Sequence, residues 1–206
     1  MKKITKVFEV YNFGELDKEI QKKILEEAME NEKNFYCDWF LYDAMVEEAK
    51  NLLKKCFSSS SFKNVYYSLS YLQGDGAMIE FKTNLETLNN KYKLLSDEEL
   101  KGLANLGTTN VVVYHQGNYC HEYCFNVEYE DYTMYNYMEE WAKDIEKIQN
   151  KIDEMIENFK KDVVNINKDL AKYGYNLLED EDYFKKSALQ NLEDLEFLKN
   201  GEVFQA

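Results

Sequence analysis

Apolar and polar positions along the chain change period several times, and each change marks an element. Residues 4–11 alternate, with Ile4, Lys6, Phe8 and Val10 against Thr5, Val7, Glu9 and Tyr11. This predicts a first strand that ends at the Asn12-Phe13-Gly14 break. From Glu15 the period becomes helical, placing Leu16, Ile20, Ile24, Leu25 and Ala28 on one face. Asn31-Glu32-Lys33-Asn34 reads as a break before a second helix, whose face carries Trp39, Tyr42, Met45, Val46, Ala49, Leu52 and Leu53. Ser58 to Ser61 read as a short polar loop.

Two hairpins follow. Val65, Tyr67, Leu69 and Tyr71 alternate up to Gln73-Gly74-Asp75-Gly76, and Ala77, Ile79 and Phe81 alternate after it. Aromatic and β-branched residues around a Gly-Asp-Gly turn make a strong hairpin signal. The second hairpin runs through Val111-Val112-Val113-Tyr114, turns at Gly117-Asn118 and continues from Tyr119 to Tyr129. Between them, Ser96 and Glu99 form a capping-box pattern at the start of a short helix that Gly107 ends.

The longest periodic signal comes next. Met134, Met138, Trp141, Ile145, Ile148, Ile152, Met155 and Phe159 step alternately by four and three, a heptad seam that Val163, Ile166 and Leu170 extend. With Gly174 as its end, the helix is roughly 40 residues and on the order of 60 Å long. Its seam needs cover, from the sheet, from another helix, or from a second copy in a homodimer through residues 134–170. A last helix follows the Glu179-Asp180-Glu181-Asp182 run and carries Ala188, Leu189, Leu192, Leu195, Phe197 and Leu198. The acidic run suits a positive helix N-terminus. The expected fold is therefore α+β: an antiparallel sheet of about four to five strands, from two hairpins plus the N-terminal strand, packed with helices. Residues 1–133 would form the sheet part and 134–206 the helical part of a single domain.

Length and charge narrow the function classes. A chain of 206 residues can bury a proper core. No stretch approaches the roughly 20 apolar residues of a membrane span. The basic start leads into a strand pattern containing Glu9, not an apolar signal segment, so the cytoplasm of a bacterial host is the expected address. There Cys37, Cys56, Cys120 and Cys124 are expected to be reduced thiols. A net charge of −14 repels phosphate backbones and anionic lipids. It argues against direct nucleic-acid or membrane binding and favours a basic protein partner.

Specific chemistries meet obstacles. On an unbroken strand Cys120 and Cys124 would stand about 13 Å apart, too far for one zinc ion. Tyr119, His121, Tyr123, Phe125, Val127 and Tyr129 would line its apolar face. If Gly117-Asn118 is a two-residue turn, His115 faces Cys120 and could activate a thiolate, although no third orienting group is evident. Gln73-Gly74-Asp75-Gly76 lacks the lysine and helix of a phosphate-binding loop, and Asp75 would repel phosphate. No catalytic residue, metal ligand or cofactor is assigned. Candidate partner-binding residues are Tyr66, Tyr71, Gln73 and Asp75 around the hairpin, and the carboxylates Glu179, Asp180, Glu181 and Asp182. Exposed tyrosine beside carboxylate favours protein binding.

Phe13-Gly14-Glu15-Leu16-Asp17, the Tyr67-to-Ala77 segment with its QGDGA core, Leu170-Ala171-Lys172-Tyr173-Gly174-Tyr175 and Phe197-Leu198-Lys199-Asn200-Gly201 together resemble small phage and prophage proteins of low-GC bacteria. These are often labelled antitoxins of toxin–antitoxin systems. Their common Ser-Gln-Gly-Asp is Leu72-Gln73-Gly74-Asp75 here. The resemblance implies a protein that binds and neutralises another, such as an anti-CRISPR-like inhibitor of an RNA-guided nuclease (a CRISPR effector) or an antitoxin against a toxin. The competing expectations are a small-substrate enzyme centred on the QGDG hairpin or the His115/Cys120 pair, and a self-associating structural protein built on the heptad helix.

Overall fold

The computed structural model describes residues 6–105, 110–129 and 142–205. Ile4, Thr5, Gly107, Met134, Met138 and Trp141, all named above, lie outside them. The element order is β1 (Tyr11–Asn12), a 3-10 turn (Phe13–Glu15), α1 (Lys18–Trp39), α2 (Leu41–Cys56), β2 (Ser61–Ser68), β3 (Gly76–Asn84), α3 (Leu85–Tyr92) and α4 (Asp97–Asn105). Then come β4 (Asn110–His115), β5 (Phe125–Tyr129), α5 (Ala142–Leu178), α6 (Glu181–Glu193) and β6 (Glu196–Phe197). The protein is α+β, with a four-stranded antiparallel sheet in the order β2-β3-β4-β5 and a separate β1-β6 pair. No helix among the described residues is long and apolar enough to cross a membrane.

The chain divides into two compact units, Met1–Tyr42 with Asn176–Ala206, and Asp43–Tyr175. This differs from the boundary expected near residue 133, because pairing between the two chain ends creates a unit of its own. In it, Tyr11 pairs with Phe197 and Asn12 with Glu196. Among the described residues of the expected N-terminal strand only Tyr11 lies in a strand, joined there by Asn12 of the expected break. Residues 6–10 carry no strand, Val7 and Phe8 are exposed, and β1 joins β6 instead of the main sheet. Leu16, Leu192 and Phe197 are buried together, with Phe13, Ile20 and Ile24 packed around them. Helix α1 runs through Asn31–Asn34 where a break was expected. Glu32 accepts hydrogen bonds from Ser187 Oγ (2.7 Å) and Asn191 Nδ2 (2.6 Å), so this stretch is held against α6. The last helix stops at Glu193, and Phe197 belongs to β6 rather than to that helix.

The larger unit is built on the sheet. Register places Val65 opposite Ile79, Phe81 opposite Val113 and Thr83 opposite Val111. Strict alternation therefore puts Val65, Ile79, Phe81, Val111 and Val113 on one face, and all are buried. That face meets the α5 seam. Ile152, Met155, Phe159, Val163, Ile166 and Leu170 are buried, and the Phe159 ring lies edge-on to Phe57 and Phe81 at centroid distances of 5.1 and 5.9 Å. From residue 152 to 170, the seam that could have paired with a second copy is thus covered within the chain. Met45, Ala49 and Leu53 of α2 are buried as expected, whereas Trp39 and Tyr42 face solvent.

Local chemistry fixes the connecting helices. Asn84 Oδ1 caps α3 by accepting from the Thr87 N–H (2.7 Å), a helix the hydrophobic pattern did not reveal. The capping box forms at α4: Ser96 N–H donates to Glu99 Oε2 (2.7 Å), and Glu99 N–H donates to Ser96 Oγ (3.2 Å). Lys151 Nζ then ties Glu99 to α5 at 2.7 Å. Helix α5 continues four residues past Gly174 instead of ending there. A Cβ on Gly174 would stand 2.6 Å from Leu69 Cδ1 and 2.9 Å from Met45 Sδ, so this glycine serves close packing rather than termination.

Candidate functional site at the loop end of the sheet

The β2–β3 connection is not the tight Gly-Asp-Gly turn that its sequence predicts. The ladder closes at Ser68 opposite Gly76, so Tyr71 lies outside β2 and residues 69–75 form a wide loop. Asp75 folds this loop around its carboxylate. Oδ1 accepts from Ser68 Oγ (2.6 Å), while Oδ2 accepts from the N–H groups of Ser70 (2.6 Å) and Leu72 (2.8 Å). Satisfying three donors with one carboxylate outcompetes a two-residue turn. The Ser68 hydroxyl, followed by the Leu72 and Ser70 amides, holds the Asp75 carboxyl below its usual range. Because the folded value is depressed, the stabilisation is complete above the unfolded pKa and is lost as pH falls through the lower, folded one. The Ser70 and Leu72 amide resonances should therefore hold their positions through ordinary carboxylate titration and move only below it. In Asp75→Asn that acid transition should vanish; its persistence would rule out the clamp.

A second loop, residues 116–124, packs on the first. The expected Gly117-Asn118 turn and long returning strand are absent: β5 starts at Phe125, and it is Phe125 that pairs with His115. The freed segment crosses towards the QGDG loop, where Cys120 N–H donates to Gly74 O (3.1 Å). Glycine is required at the junction. Gly74 has φ +91° and a Cβ there would lie 2.2 Å from the Tyr119 ring; Gly76 has φ +151° and would meet the His121 Cα at 2.9 Å.

Asn167 of α5 bridges the gap left where the strands part. The β3–β4 ladder ends at Phe81 opposite Val113, which leaves Ile79 N–H without a strand partner on that side. The fully buried Asn167 supplies one through Oδ1 (3.0 Å), and its Nδ2 donates to Glu122 O in the second loop (3.2 Å). One amide thus fastens both the sheet and the loop to the long helix.

This framework presents an aromatic rim. Tyr71, Leu72, Tyr119 and Tyr123 are 61%, 70%, 57% and 60% exposed, and Gln73 is exposed beside them. Tyr71, held at φ +60°, lies against Tyr175 with ring centroids 4.7 Å apart. Tyr119, His121 and Tyr123 follow one another at 6.3 and 6.1 Å. Lys168 Nζ lies 5.6 Å from the Tyr123 ring centre and 3.8 Å from Glu122. Tyr119 and Tyr123 were expected on the apolar face of a strand; without that strand they point outward.

Of the candidate residues, Tyr71, Gln73 and Asp75 come together on this loop, with Asp75 as its clamp rather than a free carboxylate. Tyr66 is half-buried nearby, its hydroxyl donating to Glu80 (3.2 Å) and its ring stacked on His115 at 4.3 Å. Glu179, Asp180, Glu181 and Asp182 belong to the other unit, where Asp180 Oδ1 caps α6 by accepting from Tyr183 N–H (3.0 Å). The His115/Cys120 pairing does not form. His115 Nε2 is 2.8 Å from Tyr119 O, and burial, with Cys124 and Asp75 nearby, pushes the Cys120 thiol up. All four cysteines are free thiols. Among the described residues no three His, Cys, Asp or Glu side chains converge as a metal site.

The family model described as "Domain of unknown function (DUF8835)" matches residues 41–188. The chain belongs to this family. The DUF8835 match opens at the first residue of α2 and closes within α6, so both interlocked loops, Asn167 and the rim lie inside it. Helix α1, β1 and β6 lie outside the DUF8835 segment. No curated protein and no solved structure matches the chain.

Proposed function

We propose that this protein is a non-enzymatic binding protein that neutralises a basic protein partner through the loop end of its sheet. The observation that carries the reading is the rim itself: Tyr71, Leu72, Tyr119 and Tyr123, each more than half exposed, on two loops interlocked by Asp75, Gly74 and Gly76. Large exposed side chains on a preformed scaffold give affinity with little ordering cost, and tyrosine is favoured at binding hot spots. The charge of −14 favours a basic partner and rapid association. Together with the resemblance to phage and prophage proteins, this gives the specific form: an inhibitor of an RNA-guided nuclease, or an antitoxin, acting in the bacterial cytoplasm.

The enzymatic alternative draws little support from its two candidate centres. Asp75 is committed to the loop backbone, and His115 does not face Cys120.

The test is retention of a host protein on the immobilised wild type, compared with a Leu72→Asp/Tyr119→Ser variant whose helical ellipticity is unchanged. Binding of the identified partner is expected to weaken at least about tenfold in the variant, and to fall between about 0.05 M and about 0.5 M salt. Equal affinity of both proteins for that partner, or no protein retained by either, would overturn the proposal.

A further inference from the structure

The sheet face that packs on α5 is not covered out to its β5 edge. Val127 stands opposite Val113 in the ladder, and Phe125 shares its parity, so both belong to the core-facing side. Val113 is fully buried, yet Phe125 and Val127 are only half-buried. The helix explains the difference. Glu157, Lys160 and Val164 each stand one position after a buried seam residue (Ile156, Phe159 and Val163), and Lys161 completes their stripe. Two lysines, a glutamate and a valine thus lie where larger apolar side chains would close the core over β5. Between the strand and this stripe is a cleft of about 350 Å³, within the range of about 300–1,000 Å³ usual for small-ligand sites.

Hydrogen bonds fasten helix and strand together on either side of this opening. Gln149 Nε2 donates to the Tyr129 hydroxyl (3.2 Å) towards the start of α5, and Asn167 Nδ2 donates to Glu122 O (3.2 Å) further along it.

Charge around the cleft does not balance. Lys160 Nζ is 2.8 Å from Glu157 Oε1, and that pairing, aided by Lys161, holds the Glu157 carboxyl below its usual range. Two ammonium groups therefore share one carboxylate, and among the described residues Lys161 has no ion pair of its own. Neighbouring carboxylates do not make up the difference. Glu122 faces Lys168 at 3.8 Å, Asp153 accepts from Gln149 (2.8 Å), and Glu128 accepts from Tyr114 (2.6 Å). Glu154, a turn before Glu157, does not line the cleft. Apolar walls with one cation in excess at the rim suit an anion that carries an apolar body.

We propose that this cleft binds a small organic anion, a single carboxylate on a short apolar body. The body lies against Phe125, Val127 and Val164, and the carboxylate meets Lys161. The site shares only Tyr123 with the loop-end rim, and its ligand is distinct from the protein partner proposed there.

The test is titration of the full chain with hexanoate at neutral pH, followed by amide resonances, with hexanol and hexylammonium as controls. Hexanoate is expected to give saturable shifts confined to residues 123–127 and 157–164, with a dissociation constant at or below about 1 mM. Hexanol should bind at the same residues at least about threefold more weakly, and hexylammonium should give no saturable shift there. Lys161→Gln should lower hexanoate affinity by at least about threefold and leave hexanol unchanged, since it removes only the exposed charge. Val164→Trp, which fills the cleft from a half-buried position, should abolish both while keeping the ellipticity of the wild type. Three results would overturn the assignment: no saturable shift at these residues in the wild type, equal binding of hexylammonium, or unchanged hexanoate affinity in Lys161→Gln. No host protein enters this test, so its failure leaves the loop-end reading standing, and the reverse holds too.

Discussion

Phe159→Ala should lower the stability of the protein by about 3–5 kcal/mol, read as a fall in the urea midpoint of the far-UV signal. The ring is fully buried and edge-on to Phe57 at 5.1 Å and to Phe81 at 5.9 Å, while Phe57 and Phe81 stack on each other at 6.1 Å. Truncation forfeits the transfer free energy of the ring, opens a cavity between helix and sheet, and removes two aromatic contacts of about 0.5–1.5 kcal/mol each. Against a typical total of about 5–15 kcal/mol, that is a large share. Phe159→Leu should recover most of the loss, because it refills much of the volume. If alanine cost less than about 1 kcal/mol, α5 would not be packed on the sheet through this residue.

Asn167→Leu is the second large effect, and it differs in kind. The leucine would leave the Ile79 N–H and the Glu122 carbonyl without the partner that Asn167 now supplies to each. Two stranded polar groups at about 1–3 kcal/mol each give a cost of about 2–4 kcal/mol after some relaxation. Its local signature separates it from a cavity mutation. Amide exchange at Ile79 and across residues 120–124 should accelerate more than exchange at Val111 and Val113, and affinity for a loop-end partner should fall. Uniform acceleration throughout the sheet would mean that Asn167 contributes only bulk packing.

How far the sequence reveals this structure depends on how local each cause is. The α5 seam from Ile152 to Leu170 is legible because a heptad pattern needs only one covered face. The Ser96/Glu99 capping box is legible because both partners lie within one turn. The β2–β3 pairing follows from alternation, and its register puts Val65 across from Ile79. The failures have causes that hydrophobic periodicity does not encode. Gly-Asp-Gly favours a tight turn until three donors from residues 68–72 gather on Asp75. Gly174 signals a helix end unless Met45 and Leu69 press on it from elsewhere in the chain. Asn31–Asn34 resembles a break until Glu32 finds Ser187 and Asn191, more than 150 residues away. The candidate site inherits this division. Tyr71, Gln73 and Asp75 could be named from the hairpin motif, whereas Leu72 is exposed because the first connection is a wide loop, and Tyr119 and Tyr123 because the second loop leaves the strand. Asn167 carried no signal, since a polar residue within a long helix ordinarily faces water.

The interlocked loops are the proposed binding surface. Hydrogen exchange of the protein, free and saturated with the partner it retains from its host, tests this most directly. Slowed exchange confined to residues 69–75 and 116–124 is the predicted result. A complex in which both loops exchange as fast as in the free protein, with protection only elsewhere, would contradict it.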